Sequence, residues 1–183
     1  FMPHLHISLQ SGDDEILKMM KRKYTTEDAV EKIEMIKKEV ENVSFTGDII
    51  TGFPGEKEDN FRNTYEFLKK TGFADLHIFQ YSDRENTAAS KFSDKVSAKI
   101  KKERSEELEN LRKEIVINYR EKMMGTFQKV LIEEVKGNTG VGYTENYLKT
   151  EVKNYNGNTN VIVEVKIDGV EGELLTSEEK TGY

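Results

Sequence analysis

From residue 4 to residue 10 the chain alternates strictly, HLHISLQ. Leu5, Ile7 and Leu9 fall on one side and His4, His6, Ser8 and Gln10 on the other. A period of two predicts a strand with unlike faces. A short helix is expected over DDEILKMMKR. The period then lengthens in TTEDAVEKIEMIKKEV, where Ala29, Ile33, Ile36 and Val40 form a helical stripe and Thr25 with Asp28 offers a capping box. VSFTGDIITG, residues 43–52, reads as a second strand stopped by Gly-Phe-Pro-Gly. A helix over 57–71 buries Phe61, Tyr65 and Leu68 and ends at Gly72. ADLHIFQYS, residues 74–82, is a third strand leading into the polar loop DRENTAAS. Helical crossovers between consecutive strands imply parallel pairing and right-handed connections. Residues 4–94 thus read as three βα units of an α/β sheet or barrel.

Residues 97–124 predict one long amphipathic helix with Ile100, Leu108, Leu111, Ile115, Tyr119 and Met123 on or near one stripe, closed by Gly125. The period then returns to two. FQKVLIEEV, GVGYT, YLKTEVKNY, NVIVEVKI and VEGELLT read as five short strands separated by Gly and Asn turns. Such a run suggests a small antiparallel barrel of OB-like size. The resulting division is 1–124, including the long helix, and 125–183. No internal repeat or low-complexity tract interrupts it.

Composition narrows the function classes. Of 183 residues, 36% are apolar and 34% charged, enough for a core beneath a highly charged surface. The net charge of −6 is not the basic footprint usual for a nucleic-acid binder. With no cysteine, disulfides and thiolate metal sites are excluded from this chain, which fits a cytoplasmic protein. No apolar run approaches the ~20 residues of a membrane span. FMPHLHIS enters the strand pattern at once, unlike a signal peptide, and suggests a chain cut from something longer.

If Leu5, Ile7 and Leu9 pack against helices, then His4, His6, Ser8 and Gln10 face a lumen. The same parity turns Ser44, Thr46 and Asp48 inward on the second strand, with Phe45 and Ile49 outward. The third strand is open: either His77, Phe79 and Tyr81 face in, or Leu76, Ile78 and Gln80 do. A packed barrel of this type is filled with branched apolar residues, so a polar lumen suggests a bound polar ligand. Asp48 is costly to bury unless paired or liganded. The strand ends add Gln10-Ser11-Gly12, Thr51-Gly52-Phe53-Pro54-Gly55-Glu56 and Tyr81-Ser82 with Arg84 beyond, at the edge where parallel folds collect ligands. Lys18, Lys21, Arg22 and Lys23 read as a solvated helix face.

One reading of these polar groups is a metal-dependent hydrolase barrel. His4-x-His6 would place two imidazoles on one face, with Asp48 and His77 as further ligands. The other comes from motifs in order: HLHISLQSG followed by ILKMMKRKYT, then DIITGFPGE with Phe61 beyond, then HIFQYSDRENTAAS. Together these resemble the radical-SAM methylthiotransferase family over essentially the whole chain. Gln-Ser-Gly resembles the tRNA-modifying branches better than the ribosomal-protein branch, and ISLQSG and GYTENY are most similar to the subgroup that acts on threonylcarbamoyladenosine beside the anticodon, at tRNA position 37.

The resemblance implies the C-terminal half of a radical-SAM partial TIM-type (βα) barrel followed by a TRAM domain, an OB-like antiparallel β-barrel. It implies S-adenosylmethionine and two [4Fe–4S] clusters in the full-length enzyme. Without cysteine this chain would hold neither cluster and be inert alone. No catalytic group or metal ligand is assigned to it. It implies a cofactor pocket with Gln10, Ser11 and Gly12 near the methionine and ribose, and Asp48, Gly52 and Glu56 along the second strand's end. Tyr81 and Ser82 would meet the adenine through backbone contacts, with Arg84 as a carboxylate or phosphate partner.

The sequence departs from the family where Gln80 replaces a usual Pro, where Asn86, Thr87 and Ala88 replace Gly-Thr-Pro, and where Gly47 replaces Thr. Residues 126–183 carry six Lys, no Arg and ten Asp or Glu, a net of −4 in the half expected to touch tRNA. Contact there would rest on Lys129, Lys136, Lys149 and Lys153 and on stacking by Tyr143 or Tyr147. The cut barrel would also leave an unpaired edge at residues 4–9, a template for self-association.

Overall fold

A computed structural model describes residues 2–85 and 87–178. The chain forms two compact units. One holds residues 6–40 and 45–115; the other holds the described parts of 1–5, 41–44 and 116–183. The division therefore falls between Ile115 and Val116, inside the long helix, and each unit draws on separated stretches of chain.

The strands β1 (His4–Gln10), β2 (Ser44–Thr51) and β3 (Asp75–Gln80) form a sheet of order β1-β2-β3, and the first unit holds β1 from His6 on, β2 from Phe45 on and all of β3. Between them come α1 (Asp14–Met19), α2 (Thr26–Glu39) and α3 (Glu58–Thr71). Local chemistry sets the helix ends. Asp13 caps α1 by accepting from the Ile16 N–H, and Thr25 and Asp28 form the expected capping box on α2. Gly72 ends α3 at φ 76°, a left-handed cap. The core gathers Leu9, Ile16, Leu17, Ile33, Phe45, Ile49, Phe61, Leu68 and Leu76. Of the predicted stripes, Ile33 alone is fully buried on α2, and Tyr65 on α3 is only half-buried.

β2 and β3 pair in parallel, Asp48 opposite His77 and Ile50 opposite Phe79. That register settles the open face of the third strand. Leu76 is buried, whereas His77 and Phe79 share the side on which Thr46 and Asp48 stand.

Helix α4 (Ala98–Glu121) is the predicted long helix. Leu108, Leu111 and Ile115 are buried as expected, Ile100 is exposed, and Arg104 is buried. In the second unit the strands are β4 (Phe127–Lys136), β5 (Thr139–Thr144), β6 (Lys149–Lys153), β7 (Val161–Lys166), β8 (Gly169–Glu171) and β9 (Leu174–Glu178). Where VEGELLT reads as one strand, the chain turns at Gly172, φ 59°, and makes the β8–β9 hairpin. The sheet order is β7-β4-β5-β6-β9-β8, and β6 pairs with β9 in parallel. It is thus a mixed six-stranded sheet, and no closed barrel is formed among the described residues. Val130, Ile132, Val152, Ile167 and Leu175 fill its core. Among the described residues no helix is long and apolar enough to cross a membrane.

Candidate functional site

The C-terminal ends of the three strands border a cavity of about 590 Å³. Gln10, Asp48, Tyr81, Ser82 and Arg84 line it, joined by Ile50, Phe79, Gln80, Thr87 and Ala89. The first five were expected at a ligand site from sequence. The alternation of β2 and β3, continued two residues past Asp48 and His77, also carries the signal for Ile50 and Phe79.

Backbone geometry marks the rim. Gln10 has φ 74°, a left-handed conformation that costs a residue with a side chain about 1 kcal/mol or more. Tyr81 is held firmly: its N–H donates to the Thr51 carbonyl at 2.8 Å, and its carbonyl accepts from Lys101 Nζ at 2.9 Å. Both backbone groups of Tyr81, expected to meet an adenine, are thus already engaged within the chain. The Tyr81 hydroxyl donates to Asp83, which also meets Lys95. The departure at Asn86 lies outside the described residues.

Four other expected residues are engaged in packing. Ser11 is buried with its hydroxyl 3.2 Å from that of Thr64 on α3. Gly12 lets α3 approach, since a Cβ there would lie 2.8 Å from that of Phe67. Gly52, at φ 72°, faces Lys101, and its N–H donates to the buried Glu56 carboxylate at 3.0 Å. Glu56 also pairs with Arg104 at 2.7 Å. Burial pushes the Glu56 carboxyl above its ordinary value, and the Gly52 N–H and Arg104 offset this only in part. The glycine-rich turn is thus braced from α4.

Across the open face of the sheet His6, Asp48 and His77 converge. His6 Nε2 lies 3.1 Å from Asp48 Oδ2, and His77 Nδ1 lies 3.3 Å from Asp48 Oδ1. His6 Nδ1 meets the Thr46 hydroxyl at 2.9 Å, and the Ser8 hydroxyl donates to Asp48 at 3.2 Å. Burial acts to raise the Asp48 carboxyl, but hydrogen bonds from His6, Ser8 and His77 outweigh it and hold the group below the ordinary carboxylate range.

His4 is not part of this cluster. Instead, in the second unit, its ring stacks on Tyr147 at 5.0 Å, and Tyr147 stacks on Tyr143 at 4.9 Å. Tyr147 is 61% exposed and sits at φ 65°. Lys149 lies opposite Tyr143 across the β5–β6 ladder. Of the other expected cations, Lys136 is paired with Glu134 and Lys153 with Glu171, while Lys129 lies opposite Glu164.

The Radical SAM superfamily matches residues 2–68. The threonylcarbamoyladenosine tRNA methylthiotransferase MtaB of Bacillus subtilis (strain 168) is 38% identical over 169 residues, 90% of this chain and 38% of that protein. A tRNA-2-methylthio-N(6)-dimethylallyladenosine synthase of Hydrogenobaculum sp. (strain Y04AAS1) is 38% identical over 141 residues, 77% of this chain and 32% of that one. The chain thus spans about a third to two fifths of these relatives. In fold it is similar to coproporphyrinogen III oxidase (HemN) from Escherichia coli, a radical SAM enzyme, with TM-score 0.54, 15% identity and coverage of 78% of this chain and 41% of that one. Nothing in these matches supports a hydrolase. The motif order, the pocket at the ends of the strands and identities of this size over most of the chain make it similar to one group, the tRNA methylthiotransferases, with a Radical SAM match over residues 2–68.

Proposed function

We propose that this chain supplies the S-adenosylmethionine pocket and an RNA-contacting sheet of a tRNA methylthiotransferase, the enzyme that adds a methylthio group at C2 of threonylcarbamoyladenosine 37. The observation that carries this reading is the cavity shared by Gln10, Asp48, Tyr81, Ser82 and Arg84. Its size lies within the roughly 300–1,000 Å³ of small-molecule sites. Its polar groups suit the ligand: the Arg84 guanidinium for a carboxylate, Asp48 and Gln10 for hydroxyls or an ammonium, and the Phe79 and Tyr81 rings for a base. Bound there, S-adenosylmethionine supplies the radical and methyl chemistry of the family. This chain's residues orient it and shield one side.

The [4Fe–4S] clusters do not fit this sequence, which has no thiolate to hold them. Cysteines from outside residues 1–183 would be required, and the chain alone is proposed to be inert. Residues 4–94 are read as part of a (βα) barrel and the second unit as a TRAM domain, in a cytoplasmic enzyme. β1 ends the three-stranded order, and its edge could pair with a second copy.

Calorimetric titration of S-adenosylmethionine into the purified chain tests the pocket. Binding is expected, with at least a fivefold loss for Arg84→Ala. Gln10→Gly is expected to bind more weakly yet unfold at higher urea, because the backbone strain is relieved by about 1 kcal/mol. No heat of binding, or full affinity in both variants, would overturn the pocket reading.

For RNA, the stack of Tyr147 on Tyr143 beside Lys149 offers a base platform in the otherwise acidic half. Aromatic–base stacking contributes about 1–3 kcal/mol per base. Tyr147→Ala is therefore expected to weaken a single-stranded anticodon-loop oligonucleotide at least fivefold in low-salt fluorescence anisotropy. Equal binding by variant and parent removes the platform from the proposal.

A further inference from the structure

We propose that His6, Asp48 and His77 form a binding site for a single divalent transition-metal ion of the zinc type. The inference goes beyond S-adenosylmethionine binding and does not depend on it. The three residues come from three neighbouring strands, and their ligand atoms all lie within 4.8 Å of one another. Zinc bonds of about 2.0–2.2 Å at tetrahedral angles place neighbouring donors roughly 3.3–3.5 Å apart. His6 Nε2 lies 3.1 Å from Asp48 Oδ2 and His77 Nδ1 lies 3.3 Å from Asp48 Oδ1, so each imidazole already stands near that spacing from one of the two carboxylate oxygens.

The donor set is the right kind. Two imidazoles and one carboxylate suit zinc and its neighbours in the first transition row, and leave coordination positions for water or another ligand. The outer contacts match too. A metal-binding imidazole usually hydrogen-bonds through its other nitrogen, and His6 Nδ1 does so to Thr46, which directs Nε2 toward Asp48. The Ser8 hydroxyl fixes the carboxylate in the same way. Side-chain exposures of 38% for His6, 57% for His77 and 22% for Asp48 leave an entry path from solvent. Because Asp48 also lines the cavity, an ion held there would border the pocket.

A proton shared between the imidazoles and the carboxylate would also satisfy these groups, and the experiment separates the two cases. The 183-residue chain is dialysed against zinc chloride and its bound metal counted, then titrated with cobalt(II) and followed by visible absorption. About one equivalent of zinc is expected at micromolar concentration, together with a cobalt spectrum of tetrahedral or five-coordinate type. His6→Ala, His77→Ala and Asp48→Asn should each weaken binding at least tenfold with unchanged far-ultraviolet circular dichroism. His4→Ala should bind as the parent does. Failure of the parent chain to bind zinc overturns the proposal, whatever the variants do. So does binding that survives Asp48→Asn or is lost in His4→Ala. S-adenosylmethionine titration of the metal-free chain, run in parallel, reports on the pocket reading separately.

Discussion

Replacing Arg104 with alanine is expected to destabilise the chain by about 3–5 kcal/mol, the usual result of stripping one partner from a buried ion pair. The side chains of Arg104 and Glu56 are only 8% and 4% exposed and lie 2.7 Å apart. The variant leaves a carboxylate in the core with the Gly52 N–H as its remaining close donor. Arg104 also donates to the Glu56 carbonyl, so the turn after β2 loses two anchors at once. The sign of the pH dependence follows from the carboxyl. Its value is already raised above 4.5 by burial, and loss of the cation raises it further. A carboxyl with a raised folded-state value weakens folding at neutral pH, and that penalty fades as pH falls through the raised value toward 4.5. The deficit of Arg104→Ala should therefore be largest at pH 7–8 and shrink toward pH 5. Urea midpoints of parent and variant across that range measure it. A deficit that stays constant with pH, or below 1 kcal/mol at pH 7, would refute this account. Arg104→Met with Glu56→Gln should recover part of the loss, since an amide can still accept from Gly52 without carrying charge.

This brace marks where sequence reasoning stops. Periodicity and caps made the first unit legible: the polar face of β1, the Thr25–Asp28 box, the Gly72 stop and the long α4. Those signals are local, carried within one or two turns of chain. Ser11, Gly12, Gly52 and Glu56 sit in motif positions that look equally suited to holding a ligand or a neighbour. Their partners Thr64, Phe67, Lys101 and Arg104 lie 48–55 residues away. Arg104 itself reads as one more cation on a charged helix until the fold carries it into the core. The face of β3 was undecidable for a related reason. Both alternations there contain apolar residues, and only pairing Asp48 with His77 distinguishes them.

Two residues proposed to meet ligands, Gln10 and Tyr147, share a left-handed backbone that glycine would adopt more easily. Strain of this kind persists where surrounding structure over-determines it, and it clusters at working sites. The hairpin at Gly172 is the opposite case. There glycine takes up the left-handed turn without cost, and its position inside VEGELLT disguised two strands as one.

Gly142→Ala is expected to be the most damaging single methyl group in the second unit. Gly142 lies in β5 opposite Ile132, where β4 carries a register shift between Ile132 and Glu134. A Cβ at Gly142 would stand 1.8 Å from the Leu131 carbonyl oxygen and 2.7 Å from its carbon. Both are backbone atoms, so no rotamer change can clear the space. The two strands must separate, and the central β4–β5 ladder loses pairing as they do. Overpacking a core costs about 1–3 kcal/mol when side chains can yield; here the cost should reach at least 3. Gly140→Ala is the internal comparison. Its Cβ would meet the Tyr155 ring at 2.9 Å, and a ring can shift where a carbonyl cannot. Urea unfolding of the two variants should rank Gly142→Ala well below Gly140→Ala. Amide hydrogen exchange should locate the loss in β4 and β5, leaving β1–β3 protected. Equal stability of the two variants, or a Gly142→Ala loss under 1 kcal/mol, would show that the ladder accommodates a Cβ beside the bulge and that this glycine does not fix the strand register.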